Sequence, residues 1–209
     1  ILFRLVGSEM CIRDRFGSAK LDPTIINGGV LNSFGNSAKL GKSNWCLIES
    51  DESDGSFLKI PFTYSIITNI DAEHLDFYKS LENLKKNFSS FIEKTPSLGK
   101  TFLCIDDKNI KELIKKTNNK NFYTYGLSKD ANFNITNTLQ KEKYSEFNLK
   151  IKIPGSKKEI KKIKIPLIGM HNIKNAASCA AVAFLIGIND KTIKDCLLYT
   201  SPSPRDGRE

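Results

Sequence analysis

Four carboxylates, Glu49, Asp51, Glu52 and Asp54, fall within six positions of the segment ESDESDGSF at 49–57. Charges this close repel one another unless water screens them or a cation binds between them. Mg2+ takes one or two carboxylates and fills its shell with water and phosphate oxygens. A solvated acidic loop is the plain alternative. The apolar run NWCLIE at 44–49 reads as a short strand ending in this cluster. In open α/β sheets, ligands gather at the carboxyl ends of strands.

A second strand, FTYSIITNI at 62–70, is β-branched and aromatic, and it runs into DAEHLD at 71–76. His74, one of only two histidines, stands there among Asp71, Glu73 and Asp76. Those carboxylates can orient an imidazole that binds a metal. A lone histidine is also often just a hydrogen-bonded structural residue.

The third group is His171, Asn172 and Asn175 at the start of an Ala-rich apolar helix, His171 to Gly187. Two asparagines three apart share one helix face. A helix N-terminus attracts phosphate through its free N–H groups and its dipole. One asparagine there is ordinary capping; two with a histidine are more than capping needs.

The elements that must position these groups alternate. Leu81, Leu84, Phe88, Phe91 and Ile92 lie at helical spacing, with Ser80 as cap. KTFLCI (100–105) and NFYTYG (121–126) are strands, with a short amphipathic helix on Ile110, Leu113 and Ile114 between them. FNLKIKI (147–153) and EIKKIKI (159–165), separated by Pro154–Gly155, read as an antiparallel hairpin or small sheet. The expected fold is α/β, a mostly parallel sheet flanked by helices with a small antiparallel β appendage.

The chain has 209 residues, a formal charge of +9 and 40% apolar residues, enough for a globular domain. No apolar run is long enough to span a membrane, so a cytoplasmic protein is expected. Cys46, Cys104 and Cys179 form no CxxC pair, which argues against a zinc site or a disulfide framework. The basic charge permits a nucleic-acid-binding or interaction module, which salt-dependent binding would reveal. Its lysines are scattered and not interleaved with aromatics as a stacking platform needs, so no nucleic-acid partner is expected.

All five arginines, Arg4, Arg13, Arg15, Arg205 and Arg208, lie at the two ends, while all 27 lysines lie between Phe16 and Asp195. GSEMCIRDR (7–15) and CLLYTSPSPRD (196–206) resemble translated sequencing-adapter read-through. Residues 1–15 and 196–209 are accordingly expected to be non-native segments that pack poorly on a domain spanning 16–195.

DPTIINGG (22–29), ESDESDGSFL (49–58), TNIDAEHLD (68–76), CIDD (104–107), YTYG (123–126) and GMHNIKNAA (169–177) follow one another in this order. In order and approximate spacing the set resembles the central domain of the Mur ligases, and the acidic motif resembles the members that add L-alanine. The resemblance implies ATP and Mg2+, and small-molecule substrates: UDP-N-acetylmuramate and L-alanine. It implies a P-loop-type domain and transfer of the γ-phosphoryl group to a carboxylate, followed by amide formation in peptidoglycan synthesis. By position it implies Glu49 and His74 as catalytic magnesium ligands, and His171, Asn172 and Asn175 at the ATP. The family's phosphate-binding loop, of the form GxxGKT, is expected upstream of Asp22. This chain has no such loop, so the first strand and the loop are expected to be missing and the isolated chain to be inactive.

Overall fold

The computed structural model describes residues 2–6, 22–31 and 36–198. The described chain divides into two compact units, one holding the N-terminal strand with Pro23–Thr124 and the other beginning at Tyr125.

The first unit is built on strands β1 (Leu2–Val6), β2 (Thr24–Leu31), β3 (Asn36–Lys39), β4 (Cys46–Glu49), β5 (Tyr64–Ile67) and β6 (Lys100–Cys104). Their order across the sheet is β6-β5-β1-β4-β2-β3. Every pairing is parallel except the β2/β3 edge. Ile66, Ile67, Phe102 and Leu103 are buried in consecutive pairs. Such continuous apolar runs suit strands covered on both faces. Between β5 and β6 lie a four-residue helix α1 (Leu75–Tyr78) and the longer α2 (Leu81–Glu93). Ser80 caps α2, its hydroxyl accepting from the Asn83 N–H at 3.2 Å. Leu84, Phe88, Phe91 and Ile92 form the buried stripe of α2. Helix α3 (Lys108–Lys116) follows β6, capped by Asp107, and buries Ile110 and Leu113. Strand β7 (Phe122–Gly126) then leads into the second unit.

A short 3-10 turn (Ser56–Leu58) drops Phe57 against α2, with ring centroids 5.1 Å from Phe88 and 5.5 Å from Phe91. A fully buried Phe stabilises by roughly 1.5–3 kcal/mol, so this ring anchors the segment that follows β4.

In the second unit, β8 (Phe133–Gln140), β9 (Ser145–Ile153) and β10 (Ser156–Ile165) form antiparallel ladders. The hairpin expected at Pro154–Gly155 is present, with Gly155 at φ +77°, a turn conformation that glycine adopts without strain. Leu149 and Ile151 point to the core while Lys150 and Lys152 alternate outward. Helix α4 (Met170–Leu185) lies on β8 and β9, and α5 (Asp190–Leu198) on β10. Gly187, at φ +88°, ends the α4 segment as its sequence implied.

The boundary expected at 15/16 lies outside the described residues, and the one expected at 195/196 falls within α5. Residues 1, 7–15 and 199–209 of the expected flanking segments lie outside the described residues. Within those segments, Leu2–Val6 pairs in parallel with both β4 and β5, so the sheet's centre is filled where a missing first strand was expected. The physical reason is a short, largely apolar run that suits a central parallel strand. Helix α5 likewise runs three residues past Asp195, burying Cys196 and Leu197. Among the described residues no helix is long and apolar enough to cross a membrane.

Gly99 sits in the turn before β6, where an added Cβ would lie 1.8 Å from the Thr63 carbonyl oxygen. Backbone must therefore shift to admit even a methyl group. Gly99→Ala is expected to lower stability by about 1–3 kcal/mol, read as a fall in the urea midpoint. An unchanged midpoint would contradict this close approach.

Candidate functional site

The acidic loop leaves β4 at Glu49, a half-buried position, and Ser50 behind it is buried. Two of its carboxylates serve the loop itself. Asp51 accepts from the Ser53 N–H and Asp54 from the Ser56 N–H, each at 2.8 Å. The hydrogen bonds from Ser56 hold the Asp54 carboxyl below its ordinary range. Glu52 behaves oppositely: burial raises its proton affinity. Its carbonyl accepts from the Gly55 N–H at 3.2 Å and from the Tyr78 hydroxyl.

The β5 end is fixed from beneath. Asn109, buried in α3, donates its amide to the Ile70 carbonyl at 2.6 Å. Asn69 then donates to Asp71 at 2.6 Å. His74 starts α1 in the left-handed region, φ 53° and ψ 34°. Its carbonyl accepts from the N–H groups of both Phe77 and Tyr78 at 3.0 Å. Its Nε2 comes 3.9 Å from Glu52 Oε1.

Glu52, Glu73 and His74 each offer a ligand atom, and these atoms all lie within 4.8 Å of one another. Of the two residues expected to hold a cation, His74 belongs to this cluster and Glu49 does not. Sequence reasoning named Glu52 and Glu73 only as neighbours. The signal that singles out Glu52 is tertiary: it needs the turn from 52 to 55 and the contact with α1. The donor set of two carboxylates and one imidazole fits a divalent cation that completes its shell with water or phosphate oxygens.

The second unit holds the third group at the start of α4. Gly169 lies at φ +106°, and a Cβ there would meet the His171 ring at 2.9 Å. The Gly169 N–H donates to Gln140 Oε1 at 3.1 Å. Asn172 does not cap the helix by accepting from an N–H; its amide donates backward to the Ile168 carbonyl at 2.8 Å. His171 is exposed, Asn172 is partly exposed on the first turn, and Asn175 is partly exposed on the second.

Burial of Glu52 has a consequence for stability. The folded chain holds its proton more tightly than the unfolded chain does, so stability falls as pH rises from the ordinary carboxylate range through the raised folded value. Glu52→Gln removes that cost. At about pH 7 the variant is expected to have a higher urea midpoint than the parent, with the gap closing toward about pH 3. A variant no more stable than the parent at neutral pH would refute the burial account.

Residues 39–183 match the family model described as the Mur ligase middle domain. The UDP-N-acetylmuramate–L-alanine ligase of Pelagibacter ubique is 58% identical over 180 residues, covering 86% of this chain and 39% of that protein. The ligase of the same description from Novosphingobium aromaticivorans is 40% identical over 185 residues, covering 88% of this chain and 38% of its own length. The chain thus spans about two fifths of the length of these curated relatives. Among solved structures, the UDP-N-acetylmuramate–alanine ligase of Thermotoga maritima superposes with a TM-score of 0.76 at 20% identity, covering 95% of this chain and 44% of that one. A second ligase from Thermotoga maritima, solved in complex with ADP, gives 0.73 at 13% identity, covering 97% and 49%.

Proposed function

The chain belongs to the Mur ligase family, matched through its middle domain, and from that premise we propose that it is the nucleotide-binding part of a ligase joining L-alanine to UDP-N-acetylmuramate. The observation that carries this reading is the extended similarity to L-alanine ligases, more than half identical in the first case. The acidic motif at 49–57 supports it.

In the proposed reaction the γ-phosphoryl group of ATP passes to the substrate carboxylate, releasing ADP. A carboxylate is a poor acylating agent until one oxygen becomes part of a phosphate leaving group. The amine of L-alanine then attacks the acyl carbon, loses a proton and expels phosphate, leaving an amide. The protein's task is positioning and charge neutralisation.

His74 is proposed as a metal-holding residue from both motif and geometry, with Glu52 and Glu73 beside it as carboxylate donors. Glu49 is proposed from its place in the family pattern. Mg2+ held there would neutralise charge on the phosphate oxygens during transfer. The N-terminal end of α4 is proposed to contact ATP through Asn172 and Asn175, with His171 beside them. Its backbone N–H groups and dipole favour a phosphate. Residues 16–195 are proposed as the native domain and the enzyme as a cytoplasmic one.

The test uses the full-length protein of which this chain is part, supplied with ATP, Mg2+ and UDP-N-acetylmuramate. Phosphate release is expected to rise about tenfold or more on adding L-alanine. A response to a different amino acid or to a peptide, with none to L-alanine, would reassign the ligase within its family.

A separate prediction concerns the nucleotide. Asn172→Ala removes one hydrogen-bonding group from the proposed ATP contact. It is expected to raise the KM for ATP by about tenfold, the equivalent of about 1.4 kcal/mol. An unchanged KM would remove Asn172 from the nucleotide site.

A further inference from the structure

One buried side chain ties together the two segments that carry the cluster. Tyr78 closes α1 and is 4% exposed. Its N–H donates to the His74 carbonyl at 3.0 Å, fixing the left-handed turn that aims the imidazole. Its hydroxyl donates to the Glu52 carbonyl, 26 positions earlier in the chain. That carbonyl also accepts from Gly55, so the hydroxyl reaches the turn on which the Glu52 side chain is mounted. The end of α1 is held in turn by Asn83, whose amide donates to the Tyr78 carbonyl at 3.0 Å.

We propose that Tyr78 is a positioning residue: it sets the spacing between the Glu52 carboxylate and the His74 imidazole, and so tunes the affinity of the site for a divalent cation. The inference rests on the reading of this cluster as a cation site. The phenol touches neither the cation nor the substrate; it acts through the backbone on either side of them. Without the hydroxyl, the 51–55 loop keeps its local hydrogen bonds but loses its long-range tether to α1. The carboxylate and the imidazole, 3.9 Å apart at their nearest atoms, then sample wider separations. Cation binding then has to restore the lost order, which lowers affinity.

The probe is Mn2+ alone, titrated into the full-length protein and followed by the electron paramagnetic resonance signal of the free ion. Tyr78→Phe keeps the ring in its buried place and removes only the donor. It is expected to weaken Mn2+ binding by about tenfold. In turnover, the Mg2+ concentration giving half the maximal rate should rise in parallel, with excess Mg2+ recovering most of the lost rate. A purely structural role would lower the rate at every Mg2+ concentration without moving the Mn2+ affinity, and that result overturns the proposal. Parent protein that binds Mn2+, beside a variant that binds it equally well, overturns the role of Tyr78 and leaves the cation site standing. Parent protein that binds no Mn2+ removes the cation reading and this inference with it. Should Tyr78→Phe lose its fold by circular dichroism, Asn83→Ala takes the same titration. It frees the end of α1 from outside the cluster and is expected to weaken Mn2+ binding too; an unchanged affinity overturns the proposal.

Discussion

A nine-residue segment, Glu49 to Phe57, that carries four carboxylates needs firm ends, because its own charge pushes it open. The end after β4 is held by buried Ser50, and the far end by Phe57, fully buried between Phe88 and Phe91. Burial of that one ring offsets much of the repulsion a short acidic loop sustains in water, where screening already weakens it. The aromatic stripe on α2 is thus more than core. It is the surface against which the acidic segment is closed, and the segment's polar groups can then be placed by ordinary hydrogen bonds.

Those hydrogen bonds divide the carboxylates by role. Asp51 and Asp54 each accept from an N–H two residues on, in the manner of Asx turns. Their charge is spent on shaping the loop, and for Asp54 the bonds from Ser56 stabilise the ionised form. Glu52 is the member that burial disfavours as an anion, and it faces His74. A group held where its charge is costly gains most from a cation. The four acidic letters are equivalent in composition; solvent and backbone make them unequal.

Much of this architecture is legible in the sequence. Ser80 before an apolar stripe at helical spacing marks the start of α2, Pro154–Gly155 marks the hairpin, and Gly187 marks the stop after α4. Each is a local pattern. The cluster of Glu52, Glu73 and His74 is not, because it depends on partners distant in the chain. Tyr78 reaches back 26 residues to Glu52, and Asn109 reaches back 39 to Ile70. No periodicity announces a hydrogen bond across such a gap. The four-residue α1 is likewise too short for a periodic signal, and its start at a left-handed histidine runs against propensity. Glu49 is singled out by its place in the family pattern, a match of sequence position. Glu52 enters through a turn, which is geometry.

The order of residues at the start of α4 follows from steric and electrostatic demands on a few atoms. Position 169 requires φ +106°, and any side chain there would strike the His171 ring. Glycine is the residue that meets both conditions. Asn172 follows, and its amide turns back to the Ile168 carbonyl instead of accepting from the helix's first N–H groups. An aspartate in its place would put an acceptor where a donor is needed, and would add a negative charge beside a proposed phosphate. The sequence Gly-Met-His-Asn is therefore one in which the glycine admits the ring and the asparagine braces the approach, while neither side chain closes the positive end of the helix.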